Sequence, residues 1–138
     1  DGIVFFASLD STFYALDSKS GWIVWRFRMG KGSISSPTKS DNLLFFGSAD
    51  NYLYCLEAGN AKEIWKFKTD HQVSGSPTVY NNGVYFGTAD GTLYCLELKS
   101  GQMRWRFDTD GLITSAPLIV DNLLYVGSSD HILYALYA

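Results

Sequence analysis

Four aspartates recur once in every repeat of a constant period, and a carboxylate can act as a general acid, a general base or a metal ligand. They are Asp10, Asp50, Asp90 and Asp130. A catalytic site is needed once in a chain, whereas these carboxylates recur in every copy. The third is followed by glycine, and Asp-Gly is a strong signal for a hairpin turn. We therefore expect the four carboxylates to bond the backbone of their own turns rather than to perform chemistry.

Three other sets of residues could do chemistry, and each has a structural interpretation that we favour. The stretch Asp108-Thr109-Asp110-Gly111 resembles the start of a calcium loop, but it lacks the third acid and the distal Glu, so we expect a turn. Cys55 and Cys95 are separated by the same period as the aspartates. We expect both to pack in a core, with a redox pair or a metal site as the alternatives. His71 and His131 have no Cys or His at ligand spacing, so a solvated position is expected for each. The sequence therefore predicts no catalytic, cofactor-binding or metal-ligating residue, and no cofactor.

Basic residues follow Trp25, Trp65 and Trp105, three tryptophans that recur with the same period as the aspartates. Arg26, Lys66 and Arg106 come directly after them, and Arg28 and Lys68 lie two positions further on. On outer strands these side chains would form a basic rim that protects the sheet edges from pairing. A surface for an acidic partner is the alternative interpretation.

Composition excludes several classes of protein. Of the 138 residues, 46% are hydrophobic, 16% aromatic and 18% charged, which is not the composition of a disordered chain. The net charge of −3 disfavours a nucleic-acid partner. No apolar run approaches the roughly 18 residues of a membrane-spanning helix, so membrane insertion is not expected.

The whole chain is built from one repeat. Trp25, Trp65 and Trp105 follow one another at the same constant step, and so do Pro37, Pro77 and Pro117. We divide the single unit 1–138 into repeats 1–40, 41–80 and 81–120 and a partial repeat 121–138. A period of about 40 residues indicates a repeat architecture.

Each repeat reads as four short strands. In the third copy they are predicted over 84–88, 93–96, 103–107 and 113–120, the last containing Pro117. Four strands in a repeat of this length are typical of one β-propeller blade. With the strands lettered A to D from the axis outwards, the chain runs BCD, ABCD, ABCD, ABC, which is 14 strands and an all-β fold of about three and a half antiparallel blades.

A propeller needs about 4–8 blades to close, so this chain is a partial one. We expect a segment of a longer propeller. Association of several chains into a ring, and an open or strained four-bladed form, are the alternatives. Tyr137 departs from the acid found at its equivalents, which fits a natural C-terminus with an outer strand donated by another segment.

The repeat resembles a known family in its detailed spacing. The stretch Ala15 to Trp25 has a small residue, an acid two positions later, a glycine four further on and a Trp four after that. Cys95 to Trp105 fits the same frame, and Cys55 to Trp65 fits with Ala61 in place of glycine. The stretch Phe46 to Tyr54 is similar to the signature that precedes this frame. These are the features of the tryptophan-docking motif of PQQ-like (quinoprotein alcohol dehydrogenase-like) β-propeller repeats.

The resemblance implies that each Trp wedges between neighbouring blades. We expect its indole N–H to find an acceptor within its own strand–turn–strand frame, where Gly21 allows a left-handed turn. Relatives include quinoprotein alcohol dehydrogenases and the lipoprotein of the outer-membrane β-barrel assembly machine. The enzymes of the family hold PQQ with calcium and often a vicinal disulfide, and no adjacent cysteines occur here.

We therefore expect a non-catalytic scaffold that binds a protein partner, with self-association to complete a ring as a further possibility. Part of a PQQ-dependent oxidoreductase whose site lies elsewhere, and the extracytoplasmic sensor domain of a kinase or cell-surface protein, are the alternatives. The resemblance favours a periplasmic or extracellular location.

Overall fold

The computed structural model describes residues 2–138, which form fourteen strands in four antiparallel sheets without a helix. The strands are β1 (Ile3–Ala7), β2 (Thr12–Asp17), β3 (Ile23–Arg28), β4 (Thr38–Ser40), β5 (Leu43–Gly47), β6 (Tyr52–Glu57), β7 (Glu63–Lys68), β8 (Thr78–Tyr80), β9 (Gly83–Gly87), β10 (Thr92–Glu97), β11 (Met103–Asp108), β12 (Leu118–Val120), β13 (Leu123–Gly127) and β14 (Leu133–Tyr137). A membrane-spanning helix is therefore absent from residues 2–138.

Consecutive strands pair to give sheets of three, four, four and three strands: β1–β3, β4–β7, β8–β11 and β12–β14. This confirms the predicted order of BCD, ABCD, ABCD and ABC. Each complete sheet is a meander whose neighbouring strands are antiparallel. The third and fourth strands of a complete sheet are joined through a bulge at the same place in each copy, for example between Cys55 and Leu56.

The hairpin between strands B and C of each sheet needs a left-handed residue after its aspartate. Ser11, Asn51, Gly91 and His131 occupy this position, with φ between 67° and 90°. Glycine takes such a φ without strain, whereas the other three adopt it at some cost. The turn is therefore specified mainly by the preceding aspartate.

The innermost strand of the fourth sheet is shorter than predicted. We expected a strand over 113–120 with Pro117 inside it, but β12 begins at Leu118. Pro117 has no N–H to donate to a ladder, so pairing begins only after it. The segment before the proline instead bonds across the chain, as in the hydrogen bond from Ile113 N to Thr88 O at 3.3 Å.

The sheets stack face to face, and three apolar cores join them in sequence. Alternate side chains of a strand point to opposite faces, so each middle sheet contributes to two cores. Phe45 lies in the core between the second and third sheets, while its neighbour Phe46 lies in the core between the first and second. Within residues 2–138 no core joins the fourth sheet to the first, so the stack is open.

The first strands of neighbouring sheets converge, which places them nearest the common axis. The hydroxyl of Thr38 donates to the carbonyl of Pro77 at 2.6 Å, and Thr78 donates to Pro117 at 2.5 Å. The same contact is thus repeated one sheet later. The fourth strands have a partner on one side only and form the outer edge.

Candidate functional site

Two of the recurring tryptophans are fixed by a bond to the next sheet. The indole Nε1 of Trp25 donates to the carbonyl of Ala58 at 3.0 Å, and Trp65 donates to Leu98 at 3.0 Å. Both are half-buried against the neighbouring core. The wedge position is thereby confirmed, but the expected acceptor is wrong, because the carbonyl belongs to the following sheet and not to the tryptophan's own frame. The third, Trp105, packs in the core between the third and fourth sheets together with Tyr85 and Ala138.

The glycine of this frame has a second role at the junction. Gly21 and Gly101 have φ of 73° and 70°, which confirms the expected left-handed turn. A Cβ on Gly101 would lie 2.6 Å from Cδ2 of Trp65, so the missing side chain also makes room for the indole. Ala61 adopts the same left-handed conformation, with φ of 62°. Its copy of the frame therefore keeps the turn at the cost of backbone strain.

Asp10, Asp50 and Asp130 bond the backbone of their own turns, as predicted. Asp10 accepts from Thr12 N at 2.9 Å and from the hydroxyl of Tyr14 at 2.7 Å. Asp130 accepts from Ile132 N at 2.9 Å and from Tyr134 at 2.8 Å. The hydrogen bond from Tyr14 holds the pKa of Asp10 below its usual value.

The same carboxylates also reach across to the preceding sheet, which was not predicted. Oδ2 of Asp50 accepts from Gly30 N at 2.8 Å and from the hydroxyl of Tyr54 at 2.5 Å. Asp130 makes the equivalent bond to Asp110 N at 3.2 Å. Burial, and after it the bond to Asp50, raise the pKa of Tyr54 well above its usual value. These aspartates therefore lock turns to connectors, and their polar capacity is used by the fold.

Asp90 departs from this pattern, because its carboxylate contacts a histidine side chain instead of a backbone N–H of the preceding connector. Its carboxylate accepts from the hydroxyl of Thr88 at 2.5 Å and lies 3.1 Å from Nδ1 of His71. Burial acts to raise the pKa of Asp90, but the bond from Thr88 and the neighbouring His71 lower it overall. His71 is largely exposed, as expected. Its contact with Asp90 takes the place of the bonds that Asp50 and Asp130 accept from backbone N–H groups of the preceding connectors. His131 is exposed at the left-handed position of its turn.

The remaining candidate groups occupy structural positions. Cys55 and Cys95 are free and buried in different cores, which confirms packing. Burial raises the pKa of the Cys55 thiol to about 12. In the loop that resembled a calcium site, the hydroxyl of Thr109 bonds the carbonyls of Gly91 and Gly111 at 2.8 and 2.9 Å, as a turn would require. Among residues 2–138, no group of three or more His, Cys, Asp and Glu side chains is placed to hold a metal ion.

The basic residues lie on the exposed outer strands, as predicted. Arg26 and Arg28 are on β3, and Lys66 and Lys68 are on β7. The ammonium of Lys66 lies over the ring of Tyr52, 4.9 Å from its centroid. This arrangement fits protection of an edge strand by long charged side chains.

One apolar groove opens at the end of the stack that carries the turns of the recurring aspartates. It has a volume of about 240 Å³ and is lined by Leu9, Ile34 and Val73, among others. Leu9 is 77% exposed and Ile34 is 74% exposed. The other copies carry Ala49, Ala89 and Ser129 in place of Leu9, and Ser74 and Thr114 in place of Ile34. Sequence reasoning missed this pair, although the break in the repeat is visible in the sequence.

Comparison with known families settles which kind of repeat this is. The family model described as outer membrane protein assembly factor BamB matches residues 54–138, more than half of the chain. The chain belongs to this BamB family of PQQ-like propeller repeats. No curated protein matches it.

Solved structures agree with the BamB family on the fold. BamB from Moraxella catarrhalis superposes with a TM-score of 0.87 at 19% identity, covering 99% of this chain and 43% of that one. The computationally designed Ika4 protein gives 0.88 at 20% identity, covering 99% and 86%. Quinohemoprotein alcohol dehydrogenase ADHIIG from Pseudomonas putida HK5 gives 0.82 at 18% identity, covering 93% and 27%. The chain thus spans less than half the length of the BamB structure, and these likenesses bear on the fold alone.

Proposed function

We propose that the chain is a non-catalytic segment of a BamB-like scaffold that binds other proteins through the loops at one mouth of the stack. The segment acts as one unit over residues 1–138. The name of its family, an outer membrane protein assembly factor, points to partners that belong to outer membrane protein assembly. The fold itself hosts both assembly factors and dehydrogenases, so the surface must carry the argument.

The observation that carries the proposal is the pair Leu9 and Ile34. Both are strongly exposed apolar side chains, and they line the same groove. Only the first copy carries large apolar residues at both positions. The fold does not need them there, because the other copies form the same turns with alanine, serine or threonine. Exposed apolar groups that the fold does not require are typical of an interaction surface.

The test is a binding experiment with a repeat-matched variant. The double substitution Leu9→Ala with Ile34→Ser gives the first copy the residues of the second copy at these positions. The tagged chain and the variant are incubated with solubilised cell envelope of the source organism, and retained proteins are identified by mass spectrometry. We expect the chain to enrich proteins of outer membrane assembly and the variant to lose them. Leu112→Gln, which copies Gln72 into the third connector, is the control and keeps the enrichment.

Two results would refute this function. The first is equal recovery of the same proteins by the chain and by the double variant. The second is enrichment of no protein of outer membrane assembly by the unsubstituted chain. Circular dichroism on both variants establishes that each is folded before the comparison is made.

A second candidate is part of a quinoprotein oxidoreductase, favoured by the superposition on the Pseudomonas dehydrogenase. Its test is a titration of the chain with pyrroloquinoline quinone and Ca²⁺, followed by absorbance. A saturable change in the quinone spectrum supports this alternative, and an unchanged spectrum removes it for this chain.

A further inference from the structure

The two end faces of the four-sheet stack carry side chains of the kind that the internal junctions bury. On the outer face of the first sheet, Phe6 is 37% exposed and Val4 is exposed as well. Their equivalents in the second sheet, Phe46 and Leu44, are buried in the core between the first and second sheets. The first sheet therefore presents the surface with which each later sheet meets its predecessor.

The outer face of the last sheet is the counterpart of that surface. Leu133 is 70% exposed, whereas its equivalents in the first and second sheets, Phe13 and Leu53, are fully buried against the next sheet. Gly127 has no atom within 4 Å of the position its Cβ would take, although Cβ atoms on Gly47 and Gly87 would collide with connector side chains. The last sheet therefore has the face that each earlier sheet uses to meet its successor.

The contacts at an internal junction predict which residues would meet at a junction between the two end faces. The ring of Phe46 stacks on that of Phe13, with centroids 4.1 Å apart. Phe6 is the equivalent of Phe46 in the first sheet, and Leu133 is the equivalent of Phe13 in the last sheet. A junction of the last sheet with a first sheet would thus place Leu133 on Phe6, an apolar pair in the position of an existing one.

The first strand of the last sheet differs from its equivalents at one residue of the junction. In the second and third sheets, Thr38 and Thr78 donate to the first-strand segment of the following sheet. The equivalent residue is Leu118, which has no hydroxyl and is exposed. The exposed edge of the last sheet thus carries an apolar side chain where the two preceding sheets carry a hydroxyl.

We infer that two copies of this chain associate head to tail, with the last sheet of each packed on the first sheet of the other. A head-to-tail contact that closes into a ring of two copies has two equivalent junctions and leaves no apolar end face. Two copies with four sheets each make a ring of eight sheets. Closed propellers have about 4–8 blades, so eight sheets fit this range, whereas the twelve sheets of three copies would exceed it. The inference rests on the sheet faces and is independent of the protein-binding function proposed above.

The test is the solution mass together with a complementation experiment. Light scattering after size exclusion is expected to give twice the chain mass of 15.4 kDa. Phe6→Asp and Leu133→Lys each damage both junctions of a homodimer, so each variant alone is expected to run at the monomer mass. Mixed together, they can form a heterodimer with one unaltered junction and one junction that pairs the new aspartate with the new lysine. The species of dimer mass is then expected to return.

The matched control is Leu112→Lys, which places a charge on an exposed leucine away from the end faces. This variant is expected to keep the dimer mass. A monomeric unsubstituted chain would overturn the inference, since the end faces would then need other blades to cover them. Masses above the dimer, or a dimer that both end-face variants leave intact, would overturn it too. So would a mixture of the two variants that stays monomeric.

Discussion

Replacing Trp65 tests the tryptophan junction where its contacts are most complete. The indole lies against Phe45, with ring centroids 5.8 Å apart, and its N–H bonds Leu98 O at 3.0 Å. Truncation of a large aromatic residue costs about 3–5 kcal/mol, and Trp65 is half-buried, so we expect Trp65→Ala to cost about 3 kcal/mol. Of this loss, the hydrogen bond accounts for about 1 kcal/mol.

Guanidinium unfolding followed by circular dichroism measures this loss. With a denaturant slope of roughly 3 kcal/mol per molar, the midpoint should fall by about 1 M. Trp65→Phe keeps a ring in the core but removes the N–H, so its midpoint should fall by about a third as much. Trp22 is 77% exposed and forms no part of a core, so Trp22→Ala is the control and should change stability by less than about 0.5 kcal/mol. An unchanged midpoint for Trp65→Ala, or an equal loss for Trp22→Ala, would refute the role of this junction.

Two further predictions concern the turn frame and the buried thiol. Ala61→Gly should raise the free energy of unfolding by up to about 1 kcal/mol, because it relieves a left-handed alanine. Gly101→Ala should lower the free energy of unfolding by more than about 2 kcal/mol, because backbone strain adds to a collision with Trp65. Gly21→Ala should cost only the backbone strain, about 1–2 kcal/mol, because no atom lies near the position of its Cβ. The same denaturation assay ranks the stabilities of the three variants. Equal losses for Gly21→Ala and Gly101→Ala would contradict the role of Gly101 in making room for Trp65. Because the folded-state pKa of Cys55 is raised to about 12, its contribution to stability is present below the unfolded value of about 8.5 and is lost as the pH rises towards 12. Iodoacetamide at pH 8 should therefore leave Cys55 unmodified in the folded chain and modify it in denaturant, as peptide mass spectrometry can establish; rapid labelling of the native chain would contradict the burial.

The parts of the fold that sequence predicts well are those with a strict period. The spacing of Trp25, Trp65 and Trp105 fixes the repeat, and Asp-Gly at 90–91 fixes a turn, because each depends on residue types at short range. The innermost strand of the fourth sheet was predicted too long, since apolar residues before Pro117 look like strand but have no pairing partner. There the tertiary arrangement decides, and a single sequence does not display it.

Contacts between sheets were the least predictable part of the candidate site. The acceptor of Trp25 is the backbone carbonyl of Ala58, which leaves no mark on the side chain at that position. The pairing of His71 with Asp90 joins the connector before the third sheet to a turn of that sheet, so neither local spacing nor composition could indicate it. The exposed pair Leu9 and Ile34 could have been found by asking where one copy departs from the others.

Hydrogen exchange of the indole N–H groups, followed by NMR, tests most directly whether the sheets are joined through their tryptophans. Trp→Phe variants assign the four resonances. The indole protons of Trp25 and Trp65, which bond the next sheet, should exchange far more slowly than that of the exposed Trp22. Exchange of all three at the same fast rate would contradict a stack of sheets in which the indoles of Trp25 and Trp65 are held by the sheet that follows each of them.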